Sequence, residues 1–224
     1  MNRPWGEWRK SLPGTALQWW GAVPLSIFLY RWWQYLDVGT PDWIMYNCHV
    51  TMVLLSLGMI GGWWILIRVS AIWLVIGVPM WLIDAWAIQE LWIASIFSHL
   101  GGCLLGLYAV RQVGVTGTSW KAATLWFLGW QLVTRWTTDP ALNVNLAHSP
   151  HQLFQTWFDS YWTFWPVCAL AILPLTWSVE QGLVRAMGQR GKRGTLSDEV
   201  IKMGRDGSPE GEAQHIGREP FDGQ

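Results

Sequence analysis

A histidine inside an apolar stretch is the residue of this chain with the most evident chemistry. His99 lies in the segment 90–106, ELWIASIFSHLGGCLLG, whose other side chains are mostly Leu, Ile, Phe and Trp. A histidine in hydrocarbon is costly unless it faces protein or water. Read as a helix, the segment carries its small and polar residues on one stripe. That stripe, expected to point into a helix bundle, holds Ser95, His99, Gly102, Cys103 and Gly106.

Two further titratable residues are expected at the depth of His99. His49 and Asp159 lie at similar distances from the outer ends of two other predicted helices, counted at 1.5 Å per residue. Titratable groups at one depth on three helices predict an outward-facing polar cavity. The other polar residues expected to line it are Asn47, His49, Ser95, Gln131, Arg135, Asn143, Asn145 and Gln155.

The residue types in this predicted cavity are those of nucleophilic acyl chemistry, which needs a base, a carboxylate and a hydroxyl or thiol. His99 is the candidate base and Asp159 the candidate carboxylate. The candidate nucleophiles are Thr51 and Cys48, three residues apart on one helix face. His49 and Thr51 do not share a face, because two residues turn a helix by about 200°. A catalytic group of His99, Asp159 and Thr51 or Cys48 is therefore favoured.

Two other uses of the cavity stay open. His49 and His99 on different helices suggest two axial ligands of a haem. Alternatively, the chain is a non-catalytic membrane subunit or small-molecule carrier in which the cavity only binds or conducts. The three cysteines show no paired spacing, so a zinc site is not predicted. His148 and His151 lack an accompanying ligand pattern, so no resident cofactor or metal is predicted.

The composition indicates which elements position these residues. The 224-residue chain is 51% hydrophobic and only 13% charged, and apolar runs of bilayer-spanning length follow one another from about residue 16 to residue 184. This pattern predicts an all-α, polytopic membrane protein with membrane lipid as its surroundings and partner. The chain has no stripe of basic and aromatic residues of the kind that binds nucleic acid, so nucleic-acid binding is not predicted. The sequence leaves open whether a protein partner exists.

Six transmembrane helices in one bundle are predicted from these runs. The N-terminal segment 1–15 is expected to be cytoplasmic, 16–184 to form the transmembrane domain, and 185–224 to form a disordered cytoplasmic tail. The glycine pairs Gly58/Gly62 and Gly102/Gly106 suggest close helix packing. The predicted spans are 17–36, 43–69, 70–86, 91–110, 120–137 and 152–177.

The basic residues predict the orientation in the cytoplasmic membrane. Lys and Arg concentrate in cytoplasmic connections, and with both termini inside only Arg31 and Arg135 fall on the outer side. Arg31, near the end of the first span, is expected to extend its guanidinium to water. The long connection 138–151 between the fifth and sixth spans is expected to lie over the cavity as a functional loop.

Three short motifs resemble those of a known family. The HVT at 49–51, the SHLG at 98–101 and the NVN at 143–145, together with the six-span layout, are similar to the YwaF-like integral membrane proteins, which are related to six-span lipid acyltransferases. The resemblance implies a lipid acyl hydrolase or acyltransferase, with His99 as the membrane histidine and Thr51 or Cys48 as the nucleophile. The family pattern has Cys where this chain has Thr51, so Cys48 is the alternative thiol.

Overall fold

The computed structural model describes residues 15–88 and 93–206, and within these ranges the regular elements are all helical. Short 3₁₀ turns, Pro41–Met45, Pro140–Leu142, Val144–Leu146 and Gln152–Trp157, lie in the connections. The longer elements are α1 (Thr15–Trp20), α2 (Ala22–Asp37), α3 (Asn47–Gly61), α4 (Trp64–Ile88), α5 (Ile93–Ile96), a π turn (Phe97–Gly101), α6 (Gly102–Val113), α7 (Ser119–Thr137) and α8 (Tyr161–Asp206).

Three helical segments of the described ranges are long and apolar enough to cross a membrane: Trp64–Ala87, Ile93–Val113 and Tyr161–Met187. The distribution of side chains agrees with a lipid environment. Large apolar residues such as Trp136, Trp86 and Leu104 are exposed, whereas many polar side chains are buried, as helices in lipid require. The molecule is therefore a helical membrane protein.

The boundary between the second and third predicted spans lies earlier than expected. The sequence places it between Val69 and Ser70, but α3 ends at Gly61 and α4 begins at Trp64. Gly62 ends α3 in the left-handed conformation at φ 68°, which glycine adopts without strain. The continuous apolar run conceals this break, because hydropathy does not report backbone conformation.

The predicted packing role of the glycines is confirmed for Gly58, Gly102 and Gly106. A Cβ on Gly58 would lie 2.9 Å from the backbone nitrogen of Ile67, so α3 and α4 approach closely there. A Cβ on Gly102 would lie 2.6 Å from the sulfur of Met52, and one on Gly106 3.0 Å from the Leu74 side chain. The helices α3, α4 and α6 are thereby held together around an apolar core, and α3 and the π turn before α6 carry the two membrane histidines.

The sixth predicted span begins later than the sequence suggests. Residues 152–157 form a 3₁₀ turn and α8 begins at Tyr161. Ser160 precedes the helix, and its hydroxyl oxygen accepts a hydrogen bond from the backbone N–H of Thr163 at 3.3 Å, which is the N-cap arrangement. The predicted start of the span 152–177 is therefore wrong, and Gln155 and Asp159 lie before α8.

The predicted tail also begins differently. The helix α8 continues to Asp206, past position 185 where the disordered segment is expected to start. Backbone contacts divide the chain between Gly188 and Gln189, close to the predicted domain boundary. Residues 207–224 of the predicted tail, and most of the predicted N-terminal segment 1–15, lie outside the described residues.

A buried carboxylate on α8 caps α7. Glu180 is fully buried, and its two carboxylate oxygens accept hydrogen bonds from the backbone N–H groups of Ser119 at 2.9 Å and Trp120 at 3.0 Å. These N–H groups start α7 and have no partner within it. The negative charge also lies at the positive end of the helix dipole. The sequence gives no sign of this contact, which joins residues sixty positions apart.

Glu180→Ala is expected to lower the free energy of unfolding by about 3 kcal/mol, because two buried N–H groups lose their acceptor. Thermal unfolding of the purified protein in detergent measures the change. Glu180→Gln keeps one acceptor oxygen and should lose less. Ser178→Ala, at an exposed position on the same helix, is the matched control. A Glu180→Ala variant as stable as Ser178→Ala would contradict the capping role.

Candidate functional site

The fold brings the two membrane histidines together. His49 lies in the first turn of α3 and His99 in the π turn between α5 and α6. Their ring centroids are 6.3 Å apart and the planes are inclined at 60°. Both side chains are buried. The structure therefore places His49 and His99 side by side, and these two residues are called the histidine pair below.

Two contacts fix the ring of His99. Its Nδ1 lies 2.9 Å from the carbonyl oxygen of Ser95, one turn earlier. The ring of Trp81 on α4 stacks on it with centroids 4.9 Å apart and planes at 7°. A carbonyl only accepts, so Nδ1 carries the proton and donates it. In the neutral imidazole Nε2 then has the free lone pair, and among the described residues it has no hydrogen-bond partner.

The π turn itself marks this position. Residues Phe97–Gly101 depart from α-helical hydrogen bonding within an otherwise helical segment. Such single turns are uncommon and occur frequently at functional sites. The hydroxyl of Ser98 donates to the Ser95 carbonyl at 3.0 Å, so that carbonyl accepts from both a hydroxyl and the imidazole. The local backbone is thus arranged around the orientation of His99.

A row of hydrogen bonds leads from His49 to a cation. The Tyr35 hydroxyl lies 2.8 Å from Nε2 of His49, and Nη2 of Arg31 donates to the same hydroxyl oxygen. Because a guanidinium only donates, the Tyr35 oxygen accepts from it, and the hydroxyl proton is available to Nε2 of His49. Arg31 and Tyr35 lie one turn apart on α2. This row holds the His49 ring in place beside His99.

The expectation that the Arg31 guanidinium extends to water is wrong. Its side chain does not reach water but is only 6% exposed. Nη1 donates to Oε1 of Gln34 at 2.9 Å, and the guanidinium carbon lies 4.5 Å from the centroid of the Tyr35 ring. Nε has no hydrogen-bond partner in the part of the chain that the structure describes. A buried cation with neutral partners is energetically costly.

Thr51 belongs to a second polar network on the opposite face of α3. Its hydroxyl lies 3.5 Å from Oδ1 of Asn47, which also accepts a hydrogen bond at 3.0 Å from Nε1 of Trp126 on α7. Thr51 is fully buried in this network. It therefore faces α7, whereas His49 faces α2 and the π turn, and no hydrogen bond joins Thr51 to His99 among the described residues.

Asn145 and Gln131 hold the connection between α7 and α8. Oδ1 of Asn145 accepts from the backbone N–H of Asn47 at 2.7 Å, and its Nδ2 donates to the Met45 carbonyl at 2.9 Å. Nε2 of Gln131 donates to the Asn145 carbonyl at 3.1 Å. Asn145 thus caps α3. The expectation that these side chains line an open cavity is replaced by a closed network that anchors the loop.

Asn143 and Arg135 complete the loop. Oδ1 of Asn143 accepts from the backbone N–H groups of His148 at 3.0 Å and Ser149 at 2.9 Å, as expected for an Asn that organises a turn. Asn143 also has φ 44°, which Asn tolerates. The Arg135 guanidinium donates to a loop carbonyl and lies 4.2 Å from the ring centroid of Tyr161. Both residues are structural supports.

Asp159 and Gln155 lie outside the site. Both are exposed in the segment before α8, and neither has a contact to the histidine pair. Among the described residues, Asp84, one turn after Trp81 on α4, is a carboxylate within electrostatic range of His99. Asp84 also lies 3.8 Å from Nε2 of His151. The correction follows from the late start of α8, which leaves Asp159 in a connection.

The same contacts describe the surroundings of Cys48 and show how well the histidine pair could hold a haem. Cys48 is half-buried on α3 and within electrostatic range of Arg31. Haem ligation by the pair does not fit well, because Nε2 of His49 would have to give up its bond to Tyr35. Among the described residues no group of three His, Cys, Asp or Glu is placed to hold a metal ion.

Several residues of the site have no signal in the sequence. Tyr35 and Trp81 read as ordinary aromatic residues of apolar helices, and Arg31 as a residue at a helix end. Arg31 and Tyr35 are four residues apart, which places them on the same face of a helix, and this spacing is the one feature of the sequence that links two of these residues. Their functional placement depends on how α2 and α4 pack against α3 and the π turn.

Comparison with known proteins gives no relative, since no family model, curated protein or solved structure matches the chain.

Proposed function

We propose that this protein is a lipid acyl hydrolase or acyltransferase in which His99 is the general base. The observation that carries the proposal is the orientation of His99: Nδ1 donates to the Ser95 carbonyl, which leaves Nε2 with a free lone pair inside the membrane protein. The π turn that carries His99 supports this role, because such turns are frequent at functional sites. Membership of the YwaF-like family is part of this proposal.

Cys48 is the nucleophile that we assign, and Thr51 is the alternative. The Thr51 hydroxyl contacts Asn47, which also accepts a hydrogen bond from Trp126 of α7. Cys48 is a free cysteine that directly precedes His49 in the chain. In the proposed reaction the Cys48 sulfur attacks the ester carbonyl carbon while its proton passes to Nε2 of His99. The ester C–O bond breaks and the departing alcohol takes that proton. Water or a second hydroxyl then releases the thioester by the same base.

The proposal includes six crossings of the cytoplasmic membrane with both termini inside. Beyond the three long apolar helices, α3 is apolar but shorter, and α2 and α7 supply the remaining crossings. Alkaline phosphatase fused after Ala147 should be active outside the cell, and a fluorescent protein fused after Gln224 should fluoresce inside. The positive-inside distribution of Lys and Arg predicts this result. Phosphatase activity at Gln224 would overturn the orientation.

The activity is tested on membrane lipid itself. Purified protein is incubated with a bacterial polar lipid extract, and free fatty acids, lysolipids and newly acylated lipids are measured by mass spectrometry over time. We expect a time-dependent rise in one of these products that a heat-denatured sample lacks. An unchanged lipid profile, together with a protein partner that co-purifies in fixed ratio, would instead support a non-catalytic membrane subunit.

A further inference from the structure

A groove on the outer surface of the protein lies next to the site. It has a volume of about 450 Å³ and is lined by Tyr30 and Gln34 of α2, by Ile93 and Ala94 of α5 and by Phe97 of the π turn. It is called the α2 groove below. Ile93 and Phe97 are exposed at 73% and 64%, so in a membrane this apolar wall faces lipid. Phe97 belongs to the same π turn as His99.

The polar side of the α2 groove leads to Arg31. Nε2 of Gln34 donates to the Tyr30 hydroxyl at 3.2 Å, and Oε1 of Gln34 accepts from Nη1 of Arg31 at 2.9 Å. The guanidinium therefore lies one hydrogen bond behind the groove wall. A single side chain, Gln34, separates the cation from the groove.

In the part of the chain that the structure describes, no acidic side chain pairs with the charge of Arg31. Its hydrogen-bond partners, Gln34 and Tyr35, are neutral. The side chain is more than nine-tenths buried, and Nε lacks any hydrogen-bond partner there. A buried charge in a membrane segment is energetically costly, and it usually pairs or marks a ligand pathway.

We propose that the α2 groove binds a membrane phospholipid, with an acyl chain against Ile93, Ala94 and Phe97 and the phosphodiester held by Arg31 and Gln34. This inference rests on the proposed function and names its substrate class as phospholipid rather than neutral ester. A phosphodiester is an anion and accepts hydrogen bonds from a guanidinium in favourable geometry. Arg31 lies about 9 Å along the axis from the end of α2 at Asp37, within reach of a headgroup.

The test measures lipid retention rather than turnover. Full-length protein is equilibrated in micelles with phosphatidylglycerol or with a diacylglycerol of the same chains, and bound lipid is counted by native mass spectrometry. We expect the wild type to retain the phospholipid and not the diacylglycerol. Arg31→Gln should lower phospholipid occupancy about tenfold, since charge-assisted hydrogen bonds are lost, and Arg31→Lys should restore part of it.

Ala94→Trp tests the groove without touching the buried cation. The indole fills the space against Phe97, so phospholipid occupancy should fall as well. Leu104→Trp, exposed on α6, and Arg111→Gln, exposed at the end of α6, are the matched controls and should bind as the wild type. Inorganic phosphate should not displace the lipid; complete displacement would show a site for free phosphate and overturn the lipid assignment.

Turnover measured on the same samples separates the two proposals. Arg31-dependent lipid retention without any turnover would reject the acyl chemistry and leave the phospholipid site standing. Turnover combined with equal retention in the wild type, Arg31→Gln and Ala94→Trp would reject the phospholipid site and leave the acyl chemistry standing. If Arg31→Gln does not fold, the phospholipid occupancy of Ala94→Trp still shows whether the α2 groove binds the lipid.

Discussion

His99→Ala is expected to reduce acyl turnover by about 10²–10⁴-fold, the usual contribution of a positioned general base. The loss follows from removing Nε2, the nitrogen whose lone pair is left free by the hydrogen bond from Nδ1 to the Ser95 carbonyl. The assay is the lipid-product measurement on purified protein. Stability should fall less than activity, because the variant loses one stacking contact with Trp81 and one hydrogen bond.

Two variants make the His99 result specific. His99→Gln keeps a polar side chain of similar reach but no titratable base, so it should be equally inactive. His148→Ala removes a half-buried loop histidine whose ring has only a 3.5 Å contact to Thr138, and it should retain turnover. If His99→Gln keeps wild-type turnover, or His148→Ala loses it to the same degree, His99 is not the base.

Cys48→Ala is expected to abolish turnover, by at least about 10³-fold, because a covalent route has no substitute for its nucleophile. The intact wild-type protein should also gain the mass of one acyl group during turnover, and Cys48→Ala should not. The added mass distinguishes a nucleophile from a residue that only supports the fold. Hydroxylamine, which cleaves thioesters, should remove it.

Thr51→Val is the matched comparison for Cys48→Ala. Valine nearly reproduces the shape of threonine, and the lost hydroxyl has only a 3.5 Å contact to Asn47. We therefore expect turnover close to that of the wild type, with a decrease in stability of about 1 kcal/mol. Full activity in Cys48→Ala together with inactivity in Thr51→Val would reverse the assignment and make Thr51 the nucleophile.

The approach of His49 and His99 was predictable from two general properties of membrane helices. Helical rise converts sequence position into depth, and the cost of a histidine in hydrocarbon requires it to face inward. His49 and His99, at similar distances from the outer ends of their helices, therefore have little freedom except to meet, and their rings lie 6.3 Å apart. Asn143 and Asn145, by contrast, were expected to line the cavity, and their side chains instead hydrogen-bond to the backbone of the loop and of the start of α3.

Asp159 shows where inferring depth from sequence position fails. A residue has a depth along a helix only if the helix includes that residue, and where the helix begins depends on the local hydrogen bonds of a capping residue. The predicted span includes 152–160, but the Ser160 cap starts α8 at Tyr161 and leaves Asp159 exposed. The same limitation displaced the boundary between α3 and α4, where Gly62 reverses the backbone.

The sequence by itself determined the membrane class, the helical content and the inward placement of His49 and His99, because hydropathy and helical period act on every residue in the same way. Only the tertiary structure decided that Tyr35 is the partner of His49 and that Trp81 is the partner of His99. It also decided that Arg31 is buried with Gln34 and Tyr35 as hydrogen-bond partners. Partners come from separate helices, and their identity depends on helix rotation and packing, which no local pattern encodes. The functional centre is therefore set by contacts between helices.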